Sequence, residues 1–240
     1  EQVVTLPDQS IIVTSQDLMS SLRARPSTDL PLAEVRLAGT SLALTSDKGW
    51  TMALGDFILW LRAMPDFGPS AYEFGFDLAP LTPDTALARA LAEVSLPDLP
   101  PPDFPEAIES LYGEVGLTYG APLQFAGDGA AAELEEIRID GVNFGWGALA
   151  LRAEGLLAAD AEGFAAGRVQ LELTNWDRLP ALLVATGAIT PELAPSIGNG
   201  LRAMAAESPD PAVLSLPLDM GEGRMSLGPF PLGEAPRLRT

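Results

Sequence analysis

The chain has 240 residues, 14 Lys+Arg against 33 Asp+Glu for a formal net charge of −19, and neither cysteine nor histidine. Without cysteine there are no disulfides, thiolate nucleophiles or thiolate metal sites; without histidine, Ser–His and Cys–His catalysis and the commonest metal ligand are excluded. An exterior this acidic is repelled by phosphate backbones and anionic headgroups, which argues against nucleic-acid binding, and it balances a hydrophobic content of 47%.

In chain order, Ile11–Thr14 is a β-branched run, and Ser15–Arg25 reads as a helix, with Leu18, Met19 and Leu22 at helical spacing and Pro26 as the stop. Val35 and Leu37, then Leu42 and Leu44, suggest a hairpin turning at Gly39-Thr40. Gly49–Met64 carries Trp50, Met52, Leu54, Phe57, Ile58, Trp60, Leu61 and Met64 around most of a helical circumference, which predicts a helix buried in a core or set against a partner. Tyr72–Leu78 alternates regularly, with Tyr72, Phe74, Phe76 and Leu78 on one face, and predicts a strand that packs in a sheet core or lines an apolar groove. Thr82-Pro83-Asp84 opens a helix with Thr82 as its cap and Leu87, Leu91 and Val94 as its stripe.

The proline-dense Leu96–Glu106 segment predicts a stiff extended connector and the one candidate internal boundary. It divides the chain into residues 1–95, the connector 96–106, and residues 107–240, or one continuous domain. Asp103 and Glu106 have capping-box spacing for a short helix ending at Gly113, and Val115, Leu117 and Tyr119 alternate as the next strand. Phe125–Gly129 reads as a loop. Glu133, Glu135, Glu136 and Asp140 lack the spacing of a calcium loop and read as a solvated strand face.

Gly141–Trp176 reads as consecutive antiparallel strands. Val142, Phe144, Trp146, Ala148 and Ala150 share a face, Val169, Leu171 and Leu173 another, with turns at Asp140-Gly141, Glu154-Gly155 and Glu162-Gly163. Asn175-Trp176-Asp177 begins a helix stopped by Gly187, and Thr190-Pro191-Glu192 begins a second with Leu193, Ile197, Leu201 and Met204 to about Glu207, giving a helical hairpin near 176–207. Val213–Leu218 is a strand, Asp219–Gly223 a turn, Arg224–Leu227 the last strand, and Leu227–Leu238 an extended apolar tail laid across the body.

Asn175-Trp176-Asp177-Arg178-Leu179 and the ending Leu227-Gly228-Pro229-Phe230-Pro231-Leu232-Gly233-Glu234-Ala235-Pro236, with the glycine-punctuated strands before them, resemble the bacterial domain of unknown function 2125 family of exported alphaproteobacterial proteins. That resemblance brings no catalytic residues. It implies a periplasmic location, which agrees with a chain that begins at Glu1 and not Met, as after removal of a leader or trimming of the chain. A looser analogy is to AsmA-like envelope proteins, whose sheets curl round a lipid-carrying groove.

The expected fold is α+β: mainly antiparallel curved β-sheet with packed helices. The expected function is that of a non-catalytic periplasmic envelope protein with an apolar groove for lipid-like ligands, lined by Trp50, Phe57, Trp60, Phe74, Phe76, Phe144 and Trp146. The alternatives are a protein-interaction or scaffold module of an envelope complex and a carboxylate-based hydrolase. No motif asks for a cofactor or a metal, and no segment is long and apolar enough to span a bilayer.

Overall fold

The computed structural model describes residues 2–5, 9–28, 30–78, 80–96, 103–124 and 132–239. Its strands are β1 (Gln2–Thr5), β2 (Ser10–Ala24), β3 (Leu32–Ser46), β4 (Thr51–Leu54), β5 (Phe57–Ala63), β6 (Ala71–Asp77), β7 (Leu81–Thr82), β8 (Ser110–Tyr119), β9 (Leu134–Trp146), β10 (Leu149–Ala159), β11 (Ala165–Thr174), β12 (Val213–Gly221), β13 (Arg224–Leu227) and β14 (Phe230–Glu234). Three helices join them: α1 (Thr85–Glu93), α2 (Leu179–Ala185), entered through a 3-10 turn at Trp176–Arg178, and α3 (Ala194–Ala206). All the strands belong to one open antiparallel sheet in the order β1-β2-β3-β5-β6-β8-β9-β10-β11-β12-β13-β14, with β4 beside β3 and β7 beside β4. Most neighbours in this order are joined by short connections, which force antiparallel pairing, while β6 to β8 and β11 to β12 are joined through the helices. On either side of the proline-rich segment, of which residues 97–102 lie outside the described residues, β6 and β8 are direct sheet neighbours.

Several local expectations are corrected. Ser15–Arg25 is not a helix but the continuation of β2, paired with β3 from Gln16↔Thr40 to Ala24↔Leu32. Leu18, Met19 and Leu22, its supposed apolar stripe, are 41%, 68% and 56% exposed. No buried helical face exists, and pairing with β3 decides the conformation. The hairpin at Gly39-Thr40 is absent: β3 runs through, and its partner changes from β5 (Gly39↔Phe57) to β4 (Leu42↔Leu54). Gly49–Met64 is not a helix either. It is β4 and β5, two strands broken at Gly55-Asp56, where the Gly55 N–H donates to Pro80 O. Apolar residues all round mislead here, because a short strand with apolar side chains on both faces reads the same way, although β5 is only half-buried.

The helix expected from Asp103 to Gly113 is replaced by an isolated bridge, Ile108↔Leu81, and by β8. Asp140-Gly141 and Glu154-Gly155 are not turns. They face each other at a bulge, where register passes from Val142↔Ala153 to Ile139↔Gly155. Such an extra residue bends a strand without ending it. The turn lies instead at Gly147-Ala148, inside the expected Val142–Ala150 strand, with Gly147 at φ +58° and Trp146 opposite Leu149. The tail is a further edge strand, β14, so Arg224–Leu227 is not the last. The Phe125–Gly129 loop lies outside the described residues.

The helix caps differ in detail from the sequence reading. Asp84, not Thr82, caps α1, its side chain accepting from the Ala86 N–H at 3.0 Å. α3 begins at Ala194, after the Thr190-Pro191-Glu192 signature. The main core forms where α2 and α3 cover one end of the sheet: Leu179, Ile197 and Leu201 meet Leu149, Leu173 and Leu216. A second cluster joins Leu91 of α1 to Leu81, Ile108 and Trp146. A third, around Ala153, Leu157 and Val169, draws only on β9 to β12 among the described residues.

Candidate functional site

Strict alternation and the observed register give the sheet two unlike faces. On one face, directly paired residues form apolar rows that cross the strands. Val35, Leu61, Phe74, Val115 and Ile139 make one, continuing through Gly155 to Val169 and Leu218. Leu37, Leu59, Phe76, Gly113 and Val142 make the next, continuing through Ala153 to Leu171 and Leu216.

At the β10–β12 end the rows are closed, by the helices and by one another: Val169 is 3% exposed and Leu216 0%. From β3 to β8 they are different. Leu37, Leu59, Leu61, Phe74, Phe76 and Val115 are half-buried, and among the described residues none of them joins a cluster with a helix. Their neighbours are chiefly the adjacent strands, with Phe74 and Phe76 in ring contact at 5.7 Å. Tyr72, buried on the same face, meets Tyr119 edge-on at 5.9 Å and accepts the Leu123 N–H at 2.9 Å through its hydroxyl. Burial, and then the neighbouring Tyr72, raise the Tyr119 pKa above the usual phenol value.

The opposite face is polar. Arg62–Glu73 (2.7 Å), Arg138–Asp140 (2.9 Å) and Arg168–Asp219 (2.5 Å) are ion pairs spread along it. A shallow trough of about 350 Å³ lies here, bordered by Trp60, Tyr112, Asp77, Glu114 and Asp140, and its carboxylates are solvent-exposed. Among the described residues no group of three or more Asp or Glu is placed to hold a metal ion.

The structure scatters the seven residues expected to line a groove. Phe74 and Phe76 lie on the uncovered apolar rows. Phe144 shares their face but packs on Trp146, which is 2% exposed in the α1 cluster, stacks on Phe104 at 4.5 Å and donates to Pro105 O at 2.8 Å. Phe57 is buried on Gly39. Trp50 sits at the β3–β4 turn, its indole N–H donating to Gln9 Oε1 at 3.2 Å. Trp60 points to the polar face, laid on Gly75, with its N–H donating to Glu73 Oε1 at 3.3 Å. The residues that accompany Phe74 and Phe76 are Leu59, Leu61 and Val115. The period-two alternation of Phe57, Leu59 and Leu61 was the signal that could have found them.

No helix among the described residues is long and apolar enough to cross a membrane. No curated protein and no solved structure matches the chain. A family model does, over residues 1–236, and the chain therefore belongs to the bacterial family described as "uncharacterized protein conserved in bacteria", domain of unknown function 2125.

Proposed function

We propose that the protein is a non-catalytic periplasmic component of the bacterial envelope that holds the acyl portion of a lipid-like molecule on the apolar rows between β3 and β8. The observation that carries this reading is the run of registered, half-buried side chains from Val35 to Val115 with no helix over it among the described residues. Backbone polar groups in this part of the sheet are engaged sideways with neighbouring strands, so the face offers an incoming peptide little to bond. A hydrocarbon chain needs no such partner and gains about 0.8 kcal/mol per methylene removed from water. At a strand spacing of about 4.8 Å, the three steps from β3 to β8 span roughly 14 Å.

In this reading the sheet curls around its apolar face. The burial of Ala153, Leu157 and Val169 by strand residues supports that, since a flat sheet leaves such positions open. The helices α2 and α3 act as a hairpin closing one end. The family resemblance and the absence of a spanning helix among the described residues motivate the location.

The test is native mass spectrometry and lipid extraction on protein purified without detergent. Co-purifying lipid should disappear in Phe74→Glu, with circular dichroism unchanged, and persist in Tyr112→Glu on the opposite face. Lipid retained in Phe74→Glu, or none in the wild type, overturns the reading and favours the envelope scaffold module.

A further inference from the structure

The open part of the apolar rows is closed on three sides. Along the strands, one end is shut by Leu123-Gln124, which crosses the end of the β5–β6 hairpin from β8 to β3. Gln124 bridges Pro31, the Leu32 N–H donates to Leu123 O at 2.8 Å, and the Leu123 N–H meets the Tyr72 hydroxyl. Leu32 and Tyr72 are buried at this end, and Phe57 is buried against Gly39 at the other. Across the strands, the β10–β12 side is closed by Ala153, Val169 and their neighbours. The fourth side is β2. Leu22, registered on Val35, and Ser20, registered on Leu37, continue the two rows there, and both are exposed.

The floor is also without charge. The acids and bases of β3, β5, β6 and β8 are Glu34, Arg36, Arg62, Glu73, Asp77 and Glu114. The register puts all of them on the opposite face: Glu34 stands beside Arg62 and Glu73, Arg36 beside Trp60 in the row of Glu114, and Asp77 beside Tyr112.

We propose that this site reads the hydrocarbon chain and not the head, so that its ligands are single-chain amphiphiles of any head charge. The chain lies across the strands with its terminal methyl toward β9, and the head leaves over β2 into water. This rests on the acyl reading of the face and adds the ligand class and its orientation. A charged head drawn onto the rows would lose its hydration with no counter-charge to replace it. The backbone donors there are already engaged in the ladder. Over β2 the head keeps its water, while the methyl end needs none and suits the closed side. Arg23, near that mouth, points with Glu34 to the opposite face and pairs with it at 3.0 Å.

Calorimetric titration with laurate, dodecyltrimethylammonium and dodecyl maltoside below their micelle concentrations tests the head, in about 0.3 M salt to screen the acidic exterior. The three dissociation constants should agree within about threefold, while each added methylene tightens binding by up to about fourfold until the rows are filled. A nitroxide on the head of a dodecyl probe should broaden the amide resonances of Leu22 and Arg23, and one at the chain end those of Val142 and Ala153. Leu22→Lys, at the mouth, should make laurate bind at least about threefold tighter than dodecyltrimethylammonium; Leu156→Lys, exposed on the opposite face, should not. A preference of about tenfold for one head in the wild type, which for an anion would implicate Arg23 or Arg25, overturns the inference while chain binding stands. So does a head label that broadens Val142. Failure of every chain to bind overturns it together with the reading it rests on.

Discussion

Replacing Gly75 with Ala tests how the polar face is held together. A Cβ at Gly75 would lie 2.7 Å from Cη2 of Trp60 and closer still to Cζ2 and Cε2, so the indole must leave. That ring is pinned at its edge by Glu73, which also accepts Arg62 at 2.7 Å. Overfilling of this kind costs about 1–3 kcal/mol. Lifting a half-buried indole exposes on the order of 100 Å² of apolar surface, or roughly 2.5 kcal/mol. Against this, Ala is favoured over Gly within a strand by about 0.5–1 kcal/mol. Gly75→Ala should therefore destabilise by about 1–2 kcal/mol in the wild type and be neutral or stabilising in Trp60→Ala. Urea unfolding of the four proteins of this double-mutant cycle, followed by circular dichroism, should give a coupling of about 2–3 kcal/mol. An equal cost of Gly75→Ala in both backgrounds would show that the glycine is required for its backbone and not for the indole, refuting the reasoning.

Leu173, fully buried between the sheet and the helices, should cost about 2–5 kcal/mol on truncation to Ala, against under about 0.5 kcal/mol for the 48%-exposed Leu156; urea midpoints compare them. Asn175 holds φ +54° and donates from Nδ2 to Ala148 O at 2.7 Å, so Asn175→Ala should lose about 1–2 kcal/mol, and Asn175→Gly, which relieves the backbone strain, should lose less. The folded state raises the Tyr119 pKa and so favours its protonated form. That stability is intact below the unfolded-state phenol pKa of about 10 and falls as pH rises through the folded value; Tyr119→Phe should flatten this alkaline loss in midpoints measured against pH.

The residues of the chain determine a great deal by themselves. Period-two alternation placed β6, β8 and β11 and implied an antiparallel sheet, because side chains that face water and core by turns leave that mark in any context. Gly187, just past the end of α2, marks its stop through local sterics, whereas α2 and α3 begin a few residues after the starts read at Asn175-Trp176-Asp177 and Thr190-Pro191-Glu192. The absence of His and Cys removes whole classes of chemistry. The family resemblance rested on short segments near Asn175 and Leu227, and the family match covers residues 1–236.

Tertiary structure decided the rest where local patterns are ambiguous. Trp50–Met64 is apolar on both faces, which fits a buried helix or a pair of strands; pairing with β3 chooses the strands. Asp140-Gly141 looks like a turn until β8 and β10 hold it in the ladder as a bulge. The candidate site was the least legible part. Which face Trp60 or Phe74 occupies depends on register, and a slip of one residue exchanges the faces. Only the pairing across β3, β5, β6 and β8 brings Val35, Leu61, Phe74 and Val115 into one row, because hydrogen bonds between distant segments, and not any local preference, set that register.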